Sequence, residues 1–410
     1  MIRLLITLLT VAIFSSGCSV QELVLAEETK LVVATTAVEE ALLLDVGIVE
    51  FDAQIPEGNR PEKTGIYGDI RLAEAKYIPY HMKTTLQGAG HWGAVRVIPS
   101  EDAYTDVIIN GSIEKSDGEY IEVEISVSDA SGRHWFTRSY ETQTGLTSYS
   151  KRRDRRRDPY QKVFNDFAND LQQYVAAMPP QQLQRTRQIS ELRFFRDMSP
   201  AAYNGHLASD KDGILSVVRL PAENDPSVGR MRQIRERDRL VVDTLNEHYA
   251  NFYYGIAIPY RNWRKNSRAE TVKFRQEKRS ANIQALVGVV VLAGSTQINT
   301  STSSRNTNNI NRALQYQGIT RGLNTVFGAL QRNRDAGLHL DAIAELSESF
   351  GNEAAPMVVN VEGQERRLTG TAEAQFESWR KLLREIYEAE TGFSQAVEVG
   401  TPARAPEPTG

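Results

Sequence analysis

The chain has 410 residues, 48 basic and 52 acidic side chains, a formal net charge of −4 and a hydrophobic share of 40%. That length suits two or three domains, that composition is ordinary for globular protein, and nothing in the charge balance calls for nucleic acid. A lone cysteine, Cys18, excludes an internal disulfide and makes a poor metal site.

Met1, Ile2 and Arg3 precede the apolar run LLITLLTVAIF, and Ser15, Ser16, Gly17 and Cys18 follow it. One positive charge, a short apolar core and small residues make a secretory leader over 1–17. A spanning helix needs about 20 apolar residues, so this run is a leader to be removed. The stretch FSSGCSV resembles the lipobox of bacterial lipoproteins, with Ser15 where that motif usually has Leu. The resemblance implies cleavage after Gly17 and a lipid on Cys18; Ser19 in place of Asp implies the outer membrane. Ser15 and Gly17 also suit an ordinary signal peptidase, which would leave a secreted protein with a bare thiol. An unpaired thiol is otherwise disfavoured in an exported chain. Residues 18–29 are then the linker from the anchor.

Residues 30–178 form an αβ unit. VGIVEFDAQI (46–55) is a strand ending in the turn cluster PEGNRPE. A helical stretch covers about 69–86, interrupted at Pro79 into a turn or short helix and a helix starting near the proline. AVRVIPS (94–100) is a strand, and three more follow, with turns at Ser116-Asp117-Gly118 and Ala130-Ser131-Gly132. In the middle one, Ile121, Val123, Ile125 and Val127 alternate with Glu122, Glu124, Ser126 and Ser128, the period of a half-buried antiparallel strand. Val163, Phe164, Phe167, Leu171, Tyr174, Val175 and Met178 then mark an amphipathic helix, closed by Pro179 and Pro180.

The order strand, helix, strand, three-stranded meander over 30–145 resembles the N-terminal domain of the Tol translocation protein and the core of the curli-secretion lipoprotein family. GIVEF, WGAVRVIPSE and DVIINGSI carry the likeness. It implies an envelope protein with a mixed or antiparallel sheet.

Residues 181–393 make a mainly helical domain, joined at Pro179-Pro180. Ser199 and Pro200 start a helix, and SDKDGILSVVRL holds one short strand. A long helix runs from Ser227 to about Ile258; Pro259 kinks or ends it, and Tyr260 begins a second that finishes as ALVGVVVLAG. The polar segment 295–311 is a loop or tip, with helices beyond it. APMVVNVEGQERRLTGT is a hairpin turning at Glu362-Gly363, and a last helix sets Phe376, Trp379, Leu382, Leu383 and Ile386 on one face. The proline-containing tail 394–410 is expected to be disordered. The fold class is α+β: an N-terminal αβ domain, then a mainly helical domain with a small hairpin.

No motif supplies catalysis, a metal site or a cofactor. GAGHWG (88–93) matches a dinucleotide fingerprint by letter, but a helix precedes it and a strand follows, the reverse of what the pyrophosphate needs. The six histidines are scattered and read as surface or boundary residues, and there is no nucleophile elbow or P-loop. Lys151, Arg152, Arg153, Arg155, Arg156 and Arg157 are either a solvated loop or a contact for anionic head groups, at about 1 kcal/mol each. The run 285–294 is too short to span and reads as part of a buried helical hairpin, or as a segment packed in a membrane assembly. These features together predict a lipid-anchored protein on the periplasmic face of the outer membrane, a non-catalytic scaffold or accessory component with an envelope protein partner. An oligomeric secretion or pore-forming lipoprotein is the alternative. A cell-wall hydrolase has no motif to support it.

Overall fold

The computed structural model describes residues 28–145, 147–150, 157–222, 224–294, 341–348, 356–361 and 364–391. It is α+β, as the strand and helix periods predict. Five strands, β1 (Val46–Val49), β2 (Val95–Ile98), β3 (Val107–Ser116), β4 (Tyr120–Asp129) and β5 (His134–Gln143), form a mixed sheet in the order β2-β1-β3-β4-β5. β1 pairs in parallel with both neighbours, Val46 facing Val95 on one side and Val107 on the other. The β3–β4 and β4–β5 pairs are antiparallel, which two short turns can connect.

The alternation in β4 is real: Ile121, Val123, Ile125 and Val127 are all buried. They meet helix α1 (Gly68–Ala89), which crosses from β1 to β2, and helix α2 (Gln161–Ala176), which follows β5. Val163, Phe164, Phe167 and Leu171 of α2 fill that side, with Phe167 edge-on to Tyr140.

α1 is one unbroken helix through Pro79, not two pieces meeting there. A proline at 79 cannot donate to the carbonyl of Ala75. The Phe51 N–H takes that carbonyl instead, at 3.0 Å. The helix is also buried on two faces. Ala75, Ile78, Met82 and Leu86 face the sheet, while Ile70, Ala73, Tyr77 and Tyr80 face the helices that follow.

Three residues after α2, helix α3 (Pro180–Met198) begins, an element the sequence pattern did not reveal. Ile189, Leu192, Phe194 and Phe195 are buried from it. A two-stranded hairpin, β6 (Leu207–Ser209) and β7 (Leu215–Val217), stands where one short strand was expected. Helix α4 (Pro226–Gly294) then runs for 69 residues without ending at Pro259, about 100 Å at 1.5 Å per residue. The carbonyl that Pro259 leaves unbonded belongs to Gly255, which is exposed to water. Ile256, Tyr260 and Trp263, buried on either side of the proline, hold the axis in place. Residues 341–348 are helical. β8 (Met357–Val361) and β9 (Gln364–Leu368) form the expected hairpin. Helix α5 (Ala372–Thr391) buries Phe376, Trp379, Leu383, Ile386 and Tyr387. One apolar cluster unites α1, β2, α3, α4 and α5, so the core continues across Pro179-Pro180.

Candidate functional site

The residues that bring the most chemistry together lie where α4 crosses α1 and the ends of β3–β5. Arg264 of α4 is fully buried and forms a paired hydrogen bond with Asp158: Nη1 to Oδ1 and Nη2 to Oδ2, both at 2.8 Å. Tyr77 donates to the same carboxylate at 3.2 Å, and the Tyr160 N–H donates at 2.8 Å. The guanidinium lies over the ring of Tyr260 at 4.1 Å and of Tyr160 at 5.0 Å. Burial would raise the Asp158 carboxyl, but the charge and hydrogen bonds of Arg264 outweigh it and hold the group well below the usual carboxylate range.

A second acid sits beside this pair. Glu74 of α1 is fully buried and accepts from Tyr260 at 2.6 Å and from Ser116. Burial pushes its carboxyl up, against the lowering pull of Arg71. His81, two turns along α1 from Glu74, is buried as well; its Nε2–H donates to Gln161 Oε1 at 2.9 Å and its Nδ1 accepts from Tyr253 at 2.7 Å. Burial lowers its pKa, so the ring is neutral.

The β3–β4 turn seats directly on α4. Gly118 has a φ of +83°, and a Cβ there would overlap the Arg264 carbonyl. Ser267 donates to the Asp117 carbonyl at 2.7 Å, and Arg268 donates to Thr144 Oγ1 at 3.1 Å. Tyr253, Tyr260, Arg264, Ser267 and Arg268 of α4 thus each bond a group of the αβ unit. Burial shifts the tyrosines around it upward, which keeps their hydroxyls protonated at neutral pH. What the arrangement does chemically is lock a helix.

The residues singled out from sequence fare unevenly. Cys18 and Lys151, Arg152, Arg153, Arg155 and Arg156 lie outside the described residues. Arg157 is described: its Nη1 pairs with Glu28 at 2.9 Å on an exposed surface. GAGHWG ends α1, with Gly90 in the left-handed cap conformation (φ +71°) before β2, so no helix N-terminus is presented. His81 and His206 are buried, which corrects the reading of all six histidines as surface or boundary residues; His134 is exposed, His91 and His248 are half-buried, and His339 lies outside the described residues. The backbone of 285–294 is the end of α4, and the expected partner helix lies outside the described residues. Among the described residues no helix is long and apolar enough to cross a membrane, and no cluster of three His, Cys, Asp or Glu side chains could hold a metal ion.

The chain matches no family model, no curated protein and no solved structure.

Sequence reasoning missed Asp158 and Arg264 altogether. Asp158 closes a run of charge that reads as solvated, and Arg264 lies in the polar stretch RNWRKNSR. The one available hint was Trp263 beside Arg264, an aromatic that a solvated face would not need.

Proposed function

We propose that the protein is a non-catalytic scaffold of the bacterial envelope, held by lipid on Cys18 at the periplasmic face of the outer membrane, with the basic run ending at Arg157 turned toward anionic head groups. The observation that carries this reading is the meeting of Arg157 with Glu28 at 2.9 Å. Glu28 lies ten residues after Cys18 in the sequence, a reach of at most about 35 Å. Segment 28–34 is tied down: Asn165 donates to the Thr29 carbonyl at 2.7 Å, Asn169 to the Lys30 carbonyl at 2.9 Å, and Ala34 to the Ala89 carbonyl at 2.8 Å. The chain therefore leaves for its anchor from the place where the basic run ends. Lipid and basic residues would act on one membrane, which suits a two-signal anchor.

The locked crossing of α4 supports the scaffold half of the reading. A helix about 100 Å long, fixed on an αβ unit by buried polar bonds, offers a rigid arm to an envelope partner. The test is binding of the unlipidated protein to anionic vesicles. Replacing the arginines of the run by glutamine should weaken it, and high salt should abolish the difference. Equal binding by both forms would leave the run a solvated loop. A large ring in detergent would favour a secretion or pore-forming oligomer.

A further inference from the structure

Helix α4 does not stop where the αβ unit does. Arg264, Ser267 and Arg268 bond Asp158, the Asp117 carbonyl and Thr144, and Arg268 is the last of its described side chains to bond the unit. The helix then continues through 269–294, about 40 Å. The basic run leaves and rejoins the molecule at this same crossing. Tyr149, just before the run, donates at 2.7 Å to the Gly118 carbonyl, in the turn on which α4 rests; Asp158, just after it, holds Arg264. The overhang is built in two parts. Positions eleven residues apart, three turns, share a helix face. Arg264, Ser267 and Arg268 recur at that interval as Arg275, Lys278 and Arg279. The face that meets the αβ unit therefore becomes a row of three cations once past it, while Glu270, Lys273 and Glu277 fall on the opposite side. From Ser280 to Gly294 there is no charge, and 285–294 is apolar without a break. Ten such residues cover every side of nearly three turns, whereas one packed helix covers a single stripe.

We propose that the far end of α4 binds an anionic phospholipid surface, with the face of Arg275, Lys278 and Arg279 toward the head groups and 285–294 sunk into the interface. Charge and length select this occupant. The cationic row lies on the side from which the basic run emerges, and like charge bars that run from covering it. An end that is apolar all round suits an apolar medium more than a single protein face. The polar segment from Ser295 follows at once, so the end enters the boundary of head groups and acyl chains and goes no deeper. Its apolar length, about 15 Å, is half of what spanning needs. The inference rests on the proposed function for the membrane at this end of the molecule, and not for the lipid on Cys18.

The test uses the chain from residue 18 with Cys18→Ser, which removes its only thiol, and vesicles of phosphatidylglycerol and phosphatidylethanolamine. Val290→Cys carries a fluorophore at the apolar end. Leu240→Cys carries it at an exposed site of α4, about 75 Å back along the helix. In vesicle-bound protein, a nitroxide on the lipid acyl chain should quench the label at 290, and acrylamide in the water should not. The label at 240 should show the reverse. Arg275→Gln should weaken binding about fivefold, and Lys273→Gln, on the opposite face, by less than about twofold. Replacing the arginines of 151–157 by glutamine should weaken binding too, while the protein still bound keeps its quenching at 290. A label at 290 that acrylamide reaches in bound protein overturns the proposal. So does one shielded from both quenchers, which a second copy or another part of this chain would then cover. Equal losses from Arg275→Gln and Lys273→Gln, or no binding by any form, also overturn it. A Cys18 without lipid would end the anchor reading and leave each of these outcomes as it stands.

Discussion

The side-chain amide of Asn246 stands against the backbone of Val97 as a neighbouring strand would, donating to its carbonyl at 3.2 Å and accepting from its N–H at 3.4 Å. Both groups are buried, and among the described residues β2 has no other strand on that side. One side chain of a helix thereby closes the edge of a sheet, and α4 cannot slide along β2 without breaking both bonds.

Asn246→Leu should therefore destabilise the fold by about 2–4 kcal/mol, because two buried backbone groups lose their partner. Urea unfolding should show a lower midpoint at an unchanged slope. An unchanged midpoint would mean that water replaces the amide and that the edge is not closed by Asn246.

Arg264→Met should cost about 3–5 kcal/mol, since it leaves the Asp158 carboxylate buried and unpaired. Arg264→Met with Asp158→Asn should cost less than the two single changes added together, because the unpaired charge is gone. Strict additivity would show that the two groups do not act as a pair.

Glu74 and His81 give the fold opposite responses to pH. Burial raises the Glu74 carboxyl above 4.5, so its stabilising contribution is present in acid and is lost as pH rises through the raised value. Relative to wild type, Glu74→Gln should thus gain stability as pH is raised from about 4.5 toward neutral. A difference that stays constant across that range would contradict the burial of an ionisable group there.

Burial lowers His81 below 6.5, so its contribution is present above that pH and is lost as pH falls through the lowered value. His81→Leu should be less stable than wild type at neutral pH, with Tyr253 and Gln161 deprived of their partner, yet should lose less stability on acidification below about 6.5. Parallel pH curves would show that His81 does not titrate in unfolding.

The sheet was legible in the sequence because its signal is local. Ile121 to Val127 alternate without interruption, and the turns at Gly118 and Gly132 fall at positive φ as their residues suggest. The helices were less so. Pro79 and Pro259 read as breaks, yet a distant N–H at Phe51 relieves the first and exposure at Gly255 the second. α3 has its apolar residues spread among arginines and glutamines, and only the cluster around Phe194 shows which face is buried. The polar crossing was illegible for a similar reason. Asp158 and Arg264 are 106 positions apart, and a charged side chain carries no local mark of being buried. Gly118 was visible as a turn, but not as the point where α4 touches the sheet.

The N-terminal peptide, isolated from the outer-membrane fraction and weighed by mass spectrometry, bears most directly on the proposed function. The lipoprotein reading predicts a chain that begins at Cys18 and carries the three acyl chains that the lipobox resemblance implies, and a Cys18→Ser variant that folds but leaves the membrane or stays unprocessed. Several acyl chains would make a stable anchor, at about 0.8 kcal/mol per buried methylene. A bare Cys18, a chain cut elsewhere, or a wild type and Cys18→Ser variant that fractionate alike would contradict it.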